Sequence, residues 1–403
     1  MFKKIFILFI IYILLFQNVL VLFSETIRTN NTNEFRGVWI SFLDLKSLAY
    51  QKNEQEFSSE ISKAFDNIKS LSLTDVIMQV RPFSDAIYKS SIFPTSHILT
   101  GTQGADLSYD PLEIIITKAH EKNLKLHAWL NLYRIKNPGQ NFKISDSHPA
   151  KKWIDENNTD EIIKLDNGGV YYNPGSINAQ DLIVSAVKEI VKNYDIDSIQ
   201  FDDYFYPTTS SNIDKNLYDL YLKQTQDKSL SLKDWRLQNV NNLIKKIYKT
   251  TKEINPNVLV GISPNGNIKL NYDSMFADVK KWLSEPGYVD YLLPQLYYGF
   301  NNQALDFNKA LTQWADIKKL DSIKLYLGLS FYKINSIDKW ALLGQDEWIK
   351  NHDIISKQIL SSKKSKYCDG FALFRYDFIF NPSNENKSAV ETELSYIKSI
   401  LKN

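Results

Sequence analysis

The chain has 403 residues, of which 43% are apolar and 13% aromatic, and its formal net charge is only +2. This is the composition of a globular protein with enough length for one large core. The near-neutral net charge of the chain and its scattered basic residues argue against a nucleic-acid partner, which usually requires a basic face. Aromatic-rich, weakly charged clefts are typical of sites for apolar or sugar-like ligands.

Residues 1–24 predict export. Two lysines precede an unbroken apolar run over residues 5–16, and a second short run follows. A basic start before such a run is typical of a secretory signal peptide, although no small-x-small cleavage site precedes Glu25. The stretch to Phe23 is almost long enough to cross a bilayer, so an uncleaved N-terminal membrane anchor is the alternative to a cleaved signal. No other membrane contact is predicted. The protein is therefore expected to be secreted or otherwise extracytoplasmic.

The rest of the chain is expected to be a polar spacer over residues 25–33 and a single domain over residues 34–403. Cys368 is the only cysteine, so no intramolecular disulfide can stabilise this exported chain. Its stability must therefore come from the core.

From Glu34 onward, β-branched and aromatic runs alternate with amphipathic segments. Strands are predicted over residues 36–42, 75–81, 124–131, 198–204, 258–264, 291–297, 324–330 and 370–376. Helical patterns follow them around residues 57–70, 111–122, 179–193, 234–254, 273–283, 307–318, 346–361 and 389–401. Eight strands that alternate with eight helices indicate an α/β fold, the (β/α)8 TIM barrel.

The connections separate the barrel from its main competitor, an open doubly wound sheet. That fold usually has a glycine-rich turn after its first strand, and the segment "WISFLDLKSL" contains no glycine. The long connections all follow strands, at residues 82–110, 132–178, 205–233 and 331–345. In a barrel, such loops share the C-terminal face, where active sites are built.

Alternation along each strand predicts which side chains face the barrel axis. Apolar Ile199 and Phe201 are expected to face the helices, which places Asp202 inward and Asp203 at the rim. The same rule sends a polar and aromatic set inward near the C-terminal strand ends: Arg81, His127, Trp129, Asn131, Asp202, Gln295 and Tyr297. A packed barrel interior prefers Val, Ile and Leu, so this set predicts the floor of a ligand site. Mutually satisfied internal hydrogen bonds are the alternative for any single member.

Six segments, in order, resemble the glycosyl-hydrolase-like 10 family of exported bacterial barrel proteins. They are "EFRGVWISFLDL", "MQVRPFSDAIYKSSIFPTS", "LTGTQG…YDPLEIIITKAHEKNLKLHAWLNLYR", "YYNPG", "DSIQFDDYFYP" and "GISPNG". The similarity covers roughly residues 34–298, with a weaker tail through "GLSFY" and "GFALFRYD". This resemblance implies a (β/α)8 hydrolase that acts on a cell-wall, peptidoglycan-type glycan or a related polysaccharide.

A more distant likeness is to the family 18 chitinases, whose fourth strand ends in D-G-x-D-x-D-W-E. On that pattern Asp197 matches the first aspartate and Asp202 the last. Gln200 replaces the middle aspartate, and Tyr204 stands where the catalytic glutamate would be. The usual proton donor is missing from its usual place, so the chitinase mechanism does not carry over intact.

Glycoside cleavage normally needs a carboxylic acid to protonate the leaving oxygen and a second carboxylate as nucleophile or base. Asp202 is the predicted acid/base, with its pKa raised by apolar neighbours and by Asp203. The second role is open between Asp203, Asp85 and the acetamido group of the substrate itself.

Other side chains are predicted to bind the sugar. Arg81 suits a carboxylate or lactyl group, unless it forms a structural ion pair with Asp85. Aromatic rings suit stacking on sugar rings, and amides suit hydroxyl and acetamido groups. The predicted binding set is Gln79, Arg81, His127, Trp129, Asn131, Arg134, Tyr204, Asn265, Gln295, Tyr297, Tyr298 and Arg375.

No cofactor is predicted, and three other functions compete with a carboxylate glycosidase. A metal hydrolase is the rival for an Asp-Asp pair, but the five histidines lack paired ligand spacing. A serine hydrolase would need a G-x-S-x-G elbow, which "GISPNG" does not provide. The non-enzyme alternative is a glycan-binding protein on a degenerate barrel; the missing glutamate favours it, and the polar groups kept on several strands oppose it.

Overall fold

The computed structural model describes residues 34–225, 229–365 and 368–402. The strands in chain order are β1 (Phe35–Ile40), β2 (Asp75–Arg81), β3 (Lys125–Leu130), β4 (Arg134–Lys136), β5 (Ile162–Lys164), β6 (Val170–Tyr172), β7 (Ser198–Phe201), β8 (Leu259–Ile262), β9 (Tyr291–Leu292), β10 (Lys324–Leu329) and β11 (Gly370–Leu373). Eight of them form a closed parallel barrel in the order β1-β2-β3-β7-β8-β9-β10-β11, and β11 pairs with β1. The predicted (β/α)8 barrel is confirmed.

Helices cover the outside of this barrel and its loops. They are α1 (Phe42–Ala49), α2 (Glu54–Ser70), α3 (His97–Thr100), α4 (Pro111–Glu121), α5 (Lys151–Asp155), α6 (Ile177–Asn193), α7 (Lys215–Thr225), α8 (Leu232–Ile254), α9 (Ile268–Asp273), α10 (Val279–Ser284), α11 (Phe307–Ala315), α12 (Glu347–Lys350), α13 (Ile354–Lys364), α14 (Tyr376–Phe380) and α15 (Lys387–Lys402). Turns of 3-10 helix lie at Phe331–Lys333 and Leu342–Gly344.

Helix α1, which the sequence analysis did not predict, begins directly after β1 because of a capping box. The Ser41 side chain accepts a hydrogen bond from the Leu43 backbone N–H, and Asp44 accepts from the Ser41 N–H at 2.7 Å. Such reciprocal bonds satisfy backbone donors that the first helical turn leaves free. The turn holds residues 41–43 at the C-terminal mouth of the barrel.

Other differences from the predicted elements have local causes. The helix predicted at residues 273–283 begins only at Val279, as α10, because Asp278 starts that helix by accepting a hydrogen bond from the Lys281 N–H. Strand β9 ends at Leu292, two residues before Pro294, and a proline cannot donate a hydrogen bond to a strand ladder. Beyond it, Gln295 makes only isolated bridges to its neighbours.

The side-chain alternation separates two apolar layers. Val76, Met78 and Val80 pack in the large outer core between strands and helices, as predicted. The barrel interior holds a smaller cluster of Phe35, Trp39, Ile77, Trp129, Tyr291, Leu293 and Ala372. The outer layer stabilises the barrel, and the inner cluster supports the residues at the C-terminal mouth of the barrel.

An aromatic plug of Phe35, His127, Tyr291 and Tyr326 closes the N-terminal end of the barrel. The rings of Phe35 and Tyr326 stack with centroids 4.1 Å apart. His127 bonds through Nδ1 to the Tyr291 hydroxyl at 2.8 Å and through Nε2 to Asp75 Oδ1 at 2.9 Å. The prediction that His127 lies near the C-terminal strand ends is wrong, because it is only the third residue of β3 and sits in the lower half of the barrel.

The long connection after β3 contains a small sheet that the sequence analysis did not predict. Strands β4, β6 and β5 pair in that order, antiparallel, beside the barrel mouth. The predicted signal or anchor and the spacer, residues 1–33, lie outside the described residues. Within the described part, no helix combines the length and apolar character needed to cross a membrane.

Candidate active site

A cavity of about 450 Å³ opens at the C-terminal ends of the barrel strands. This size suits a small-molecule or sugar site. Several predicted residues line it: Gln79, Trp129, Arg134, Asp202, Asp203, Tyr204, Gln295 and Tyr297. Further lining residues are Trp39, Ser41, Phe42, Leu43, Asn137, Gln200, Ser263, Tyr332 and Phe374.

A larger groove of about 1200 Å³ lies between α9, α10 and α11 and shares no lining residue with the barrel pocket. Two of its three lining carboxylates have structural roles. Asp273 pairs with Lys233 at 2.6 Å, and Asp278 caps α10. The barrel pocket, with two buried carboxylates beside the C-terminal strand ends, is therefore the candidate active site.

Asp202 is held by the end of the neighbouring strand β3. Trp129 Nε1 donates to its Oδ2 at 3.0 Å, and Asn131 Nδ2 donates to Oδ1 at 2.9 Å. The pairing of β3 with β7 sets this arrangement, because Trp129 lies opposite Gln200 in the ladder. Burial raises the pKa of the Asp202 carboxyl, while the charge of Arg134 and these two hydrogen bonds counteract the rise. Asp202 is thus buried but well supplied with donors.

Asp203 is held from the opposite side of the pocket. Gln295 Nε2 donates to its Oδ1 at 3.0 Å, and Asn265 Nδ2 lies 3.4 Å from its Oδ2. Burial, followed by the charge of Asp202, raises the pKa of Asp203 from 3.8 to about 6. Its environment therefore favours the protonated form far more than that of an ordinary aspartate.

The expected split between an inward Asp202 and a rim-placed Asp203 is wrong. Strand β7 ends at Phe201, so the alternation that would point the two side chains apart does not reach them. Both carboxylates are buried, with 6% and 9% of their surface exposed, and both line the same pocket. The chain brings together two carboxylates with different donors.

Arg134 and Tyr204 form one side of the pocket mouth. The Arg134 guanidinium lies 5.1 Å from the centre of the Tyr204 ring, and its Nε donates to the Pro82 carbonyl at 3.0 Å. Desolvation and the charges of Asp203 and Asp202 raise the pKa of Tyr204 to about 12. Its phenol therefore stays protonated near neutral pH and is a poor replacement for a catalytic carboxylic acid.

Comparisons with known proteins agree with this geometry. Residues 34–348 match the model of the family described as glycosyl hydrolase-like 10. The chain belongs to the glycosyl hydrolase-like 10 family. Its relatives include the glycosyl hydrolase YngK of Bacillus subtilis (strain 168), 36% identical over 325 residues that cover 75% of this chain and 62% of that protein. The glycosyl hydrolase DigH of Escherichia coli (strain K12) is 31% identical over 356 residues, which cover 83% of this chain and 77% of that protein.

The chain thus spans less than two thirds of the length of YngK. Among solved structures, the glycoside hydrolase domain of PgaB (BpsB) from Bordetella bronchiseptica has a TM-score of 0.53 at 12% identity and covers 89% of this chain and 99% of its own. The catalytic domain of a β-amylase from Paenibacillus polymyxa has a TM-score of 0.54 at 12% identity and covers 92% and 99%. At such low identity these two neighbours show the shared barrel fold alone.

In this member of the glycosyl hydrolase-like 10 family, Arg81 does not face the pocket. The ladder between β2 and β3 shifts register between Gln79 and Arg81, and this irregularity turns the Arg81 side chain away from the axis. Its guanidinium is fully buried and donates to the Asn131 carbonyl and to Ser84 Oγ, both at 2.8 Å. Arg81 therefore supports the chain around Asn131.

Asp85 is also placed away from the pocket of this family member. It accepts a hydrogen bond from Gln103 Nε2 at 3.2 Å and lies 3.3 Å from His97 Nδ1, within the loop after β2. It is fully buried and does not line the cavity. In place of the ion pair expected with Arg81, Asp85 has the His97 ring as its neighbour.

Of the remaining predicted residues, two hold the aspartates from behind and two lie away from the cavity. Asn131 and Asn265 act behind the two aspartates rather than on the pocket wall. Tyr298 packs against the outer core, and its carbonyl accepts from Gln358 at 2.7 Å. Arg375 pairs with Asp44 and lies 3.6 Å from Asp377. Neither Tyr298 nor Arg375 lines the cavity.

Several pocket residues were absent from the predicted binding set. Trp39 could have been found, since Val38 and Ile40 flank it as outward residues of β1. Tyr332 and Phe374 follow the ends of β10 and β11, where no periodic pattern extends. Across residues 34–225, 229–365 and 368–402, no three His, Cys, Asp or Glu side chains converge as a possible metal site.

Proposed function

We propose that this chain is a glycoside hydrolase that cleaves a bacterial cell-wall, peptidoglycan-type glycan or a related polysaccharide at the C-terminal face of its barrel. One observation carries the proposal: two buried carboxylates with separate donors share a pocket that is lined mostly by aromatic rings and amides. Two carboxylates in different environments are the usual catalytic groups of glycosidases.

Asp203 is the proposed proton donor. A carboxyl group with a pKa of about 6 is partly protonated near neutral pH, so it can protonate a glycosidic oxygen and then accept a proton back. This assignment exchanges the two roles that the sequence suggested, where Asp202 was the expected acid. The difference lies in the neighbouring charges, since Arg134 lowers the pKa of Asp202 whereas the charge of Asp202 raises the pKa of Asp203.

Asp202 is the proposed permanent carboxylate. Its donors and the charge of Arg134 favour the ionised form, which can stabilise positive charge developing on the sugar. Among the described residues that line the pocket, Asp202 is the one carboxylate besides Asp203. The proposed attacking group is a water molecule or the acetamido group of the substrate, and Asp202 orients it.

The aromatic wall supports a sugar as the ligand. Tyr297, Tyr332 and Phe374 form a contiguous group, with ring centroids 5.8 to 6.0 Å apart. Lys333 Nζ donates to the Tyr297 carbonyl at 2.7 Å and holds the loop after β10 against this wall. Flat rings of this kind complement the apolar faces of pyranose rings. The predicted export of the chain and the family resemblance support a cell-wall polysaccharide as partner, outside the cytoplasm.

The test is the Asp203→Asn variant. We expect release of reducing ends from purified cell-wall glycan strands to fall at least about 100-fold, because a general acid contributes roughly that much. Binding of the same strands should remain. Glu189→Gln is the matched control, since Glu189 is another buried carboxylate, bonded to Ser90 and Ser91 outside the pocket, and its loss should leave turnover near that of the wild type. A wild-type protein that binds these glycans but never releases reducing ends would instead be a glycan-binding protein.

A further inference from the structure

The floor of the pocket holds polar atoms that no protein group satisfies. Both amide atoms of Gln200, the Nε2 of Gln79 and the Oγ of Ser263 are buried without a hydrogen-bond partner. These three side chains are 1%, 0% and 2% exposed, and all three line the pocket. Buried polar groups are nearly always paired, and an unpaired one destabilises the protein. An unpaired set that faces a cavity is therefore a candidate ligand contact.

The barrel register places these groups together below the aspartates. Gln79, Trp129 and Gln200 lie opposite one another across β2, β3 and β7, and Asp202 follows Gln200 by two residues. The next ladder partner, Gly261, carries no side chain, and a Cβ there would lie 1.9 Å from the Tyr291 ring. Tyr291 thus closes the space beneath, so the polar atoms face upward into the cavity.

The orientation of the Gln79 amide is fixed by its other end. Its Oε1 accepts a hydrogen bond from the Phe42 backbone N–H at 3.0 Å, so its Nε2 donor is the atom left unpaired. Gln200 contributes one donor and one acceptor, and the Ser263 hydroxyl can serve as either. The floor therefore offers both kinds of hydrogen bond and carries no charge, beside the indole rings of Trp39 and Trp129.

We propose that Gln200, together with Gln79 and Ser263, forms a specificity-determining floor for the sugar at the cleavage position. It receives an uncharged substituent that has both a donor and an acceptor, which is the chemistry of a hydroxyl or an acetamido group. A carboxylate in this place would meet the negative charge of Asp202 directly above. The inference rests on the proposed function, because it names the chemistry that the same pocket selects.

The Gln200→Met variant tests this floor, because methionine keeps the length of the side chain and removes both amide atoms. Gln200 has no protein partner to lose, so the melting temperature should stay the same or rise. By contrast, kcat/KM should fall about tenfold or more, since each missing ligand contact of about 1.4 kcal/mol is a factor of ten. A merely structural glutamine would lower stability and activity together.

Gln180→Met is the matched control. Gln180 is also buried, but its Nε2 donates to the Pro174 carbonyl at 2.8 Å, outside the pocket. Its loss should lower the melting temperature and leave kcat/KM unchanged.

Three probes identify the substituent: four-unit oligosaccharides of N-acetylglucosamine, of glucose and of galacturonate. Their binding is measured by calorimetry in Asp203→Asn protein, with and without Gln200→Met. A loss of affinity confined to the N-acetylglucosamine probe assigns the acetamido group, and an equal loss for both neutral probes assigns a hydroxyl. Preference for the galacturonate probe, an unchanged affinity in the Gln200→Met protein, or no binding of any probe overturns the inference. If the wild type binds the neutral probes through Gln200 yet cleaves no glycoside, the hydrolase proposal fails and the floor stands.

Discussion

At the scale of single residues, the adjacent aspartates differ because their neighbours differ. Asp202 receives donors from Trp129 and Asn131 and the favourable charge of Arg134, whereas Asp203 receives two amide donors and the repulsion of Asp202. Strong repulsion between neighbouring carboxylates raises the pKa of one member, and the better-solvated or better-bonded member stays ionised. The same two carboxylates are therefore both the proposed catalytic groups and a feature that destabilises the folded protein.

That instability predicts how the Asp203→Asn variant responds to pH. The pKa of Asp203 is raised in the folded protein from 3.8 to about 6, so its stabilising contribution is present below pH 3.8 and is lost as pH rises through 6. Ionised Asp203 then costs the wild type about 3 kcal/mol at pH 7.5. Urea denaturation should show Asp203→Asn to be more stable than the wild type at pH 7.5, by up to this amount, with the gain nearly gone at pH 4.

The exposed Asp166→Asn variant is the control for this measurement. It should change the free energy of unfolding little at either pH. A gain for Asp203→Asn that is equal at pH 4 and pH 7.5 would show that charge burial is not its cause.

At the scale of elements, the site depends on where strands end. The alternation in β2, β3 and β7 was readable from sequence because apolar residues at every second position must reach the helix layer. It failed at Asp203, one residue beyond Asp202, because the sequence pattern does not show that β7 stops at Phe201. It failed again at Arg81, where a register shift between neighbouring strands leaves no mark in either strand's composition.

The small sheet beside the mouth was missed for a related reason. Each of β4, β5 and β6 has only three residues, which is too short for a periodic signal to stand out from a polar loop. Asn265 was expected to bind the substrate, but its contact with Asp203 depends on the meeting of separate loops. Sequence patterns predict side-chain direction within a strand and say little about contacts beyond its end.

The hydrogen bond from Trp129, on strand β3, to Asp202 can be tested by substitution. Trp129→Phe keeps an aromatic ring but removes the Nε1 donor. In the wild type, the hydrogen bond from this donor lowers the pKa of Asp202. Because Asp202 must be ionised, the acidic limb of the pH profile of kcat/KM should move upward by about half to one pH unit, the worth of one such bond.

Trp282→Phe separates this effect from a general loss of packing. Trp282 is fully buried and donates to Asn241 Oδ1 at 2.7 Å, away from the pocket. This control should lower stability and leave the acidic limb in place. An acidic limb that moves equally in both variants would mean that Asp202 does not set it.

At the scale of the whole molecule, the barrel separates stability from chemistry along its axis. The C-terminal end carries the two aspartates, and the N-terminal end carries the aromatic plug with His127 bonded to Asp75 and Tyr291. The order of eight strands and the side on which the long loops lie could be predicted, because both follow from the spacing of apolar runs. The position of His127 along the axis could not, since alternation gives its direction and not its depth.

The plug predicts that His127→Leu is a stability variant. The change leaves the Asp75 carboxylate without its His127 partner and the Tyr291 hydroxyl with only a weaker contact to Ser198 at 3.3 Å. We expect the free energy of unfolding to fall by about 2 kcal/mol or more, measured by urea denaturation at pH 7. At a temperature where the variant is folded, KM for glycan strands should match that of the wild type. A raised KM at unchanged stability would return His127 to the binding site, as the sequence first suggested.

The plug also bears on how the proposed polymer substrate would reach the pocket. With Phe35, Tyr291 and Tyr326 packed against one another at the N-terminal end, the barrel interior is a packed core and not a pore. On the proposed function, a sugar chain therefore approaches, and its two fragments leave, on the C-terminal side where the long loops lie. Tyr204, at the pocket mouth, then bears on the release of product as well as on its formation.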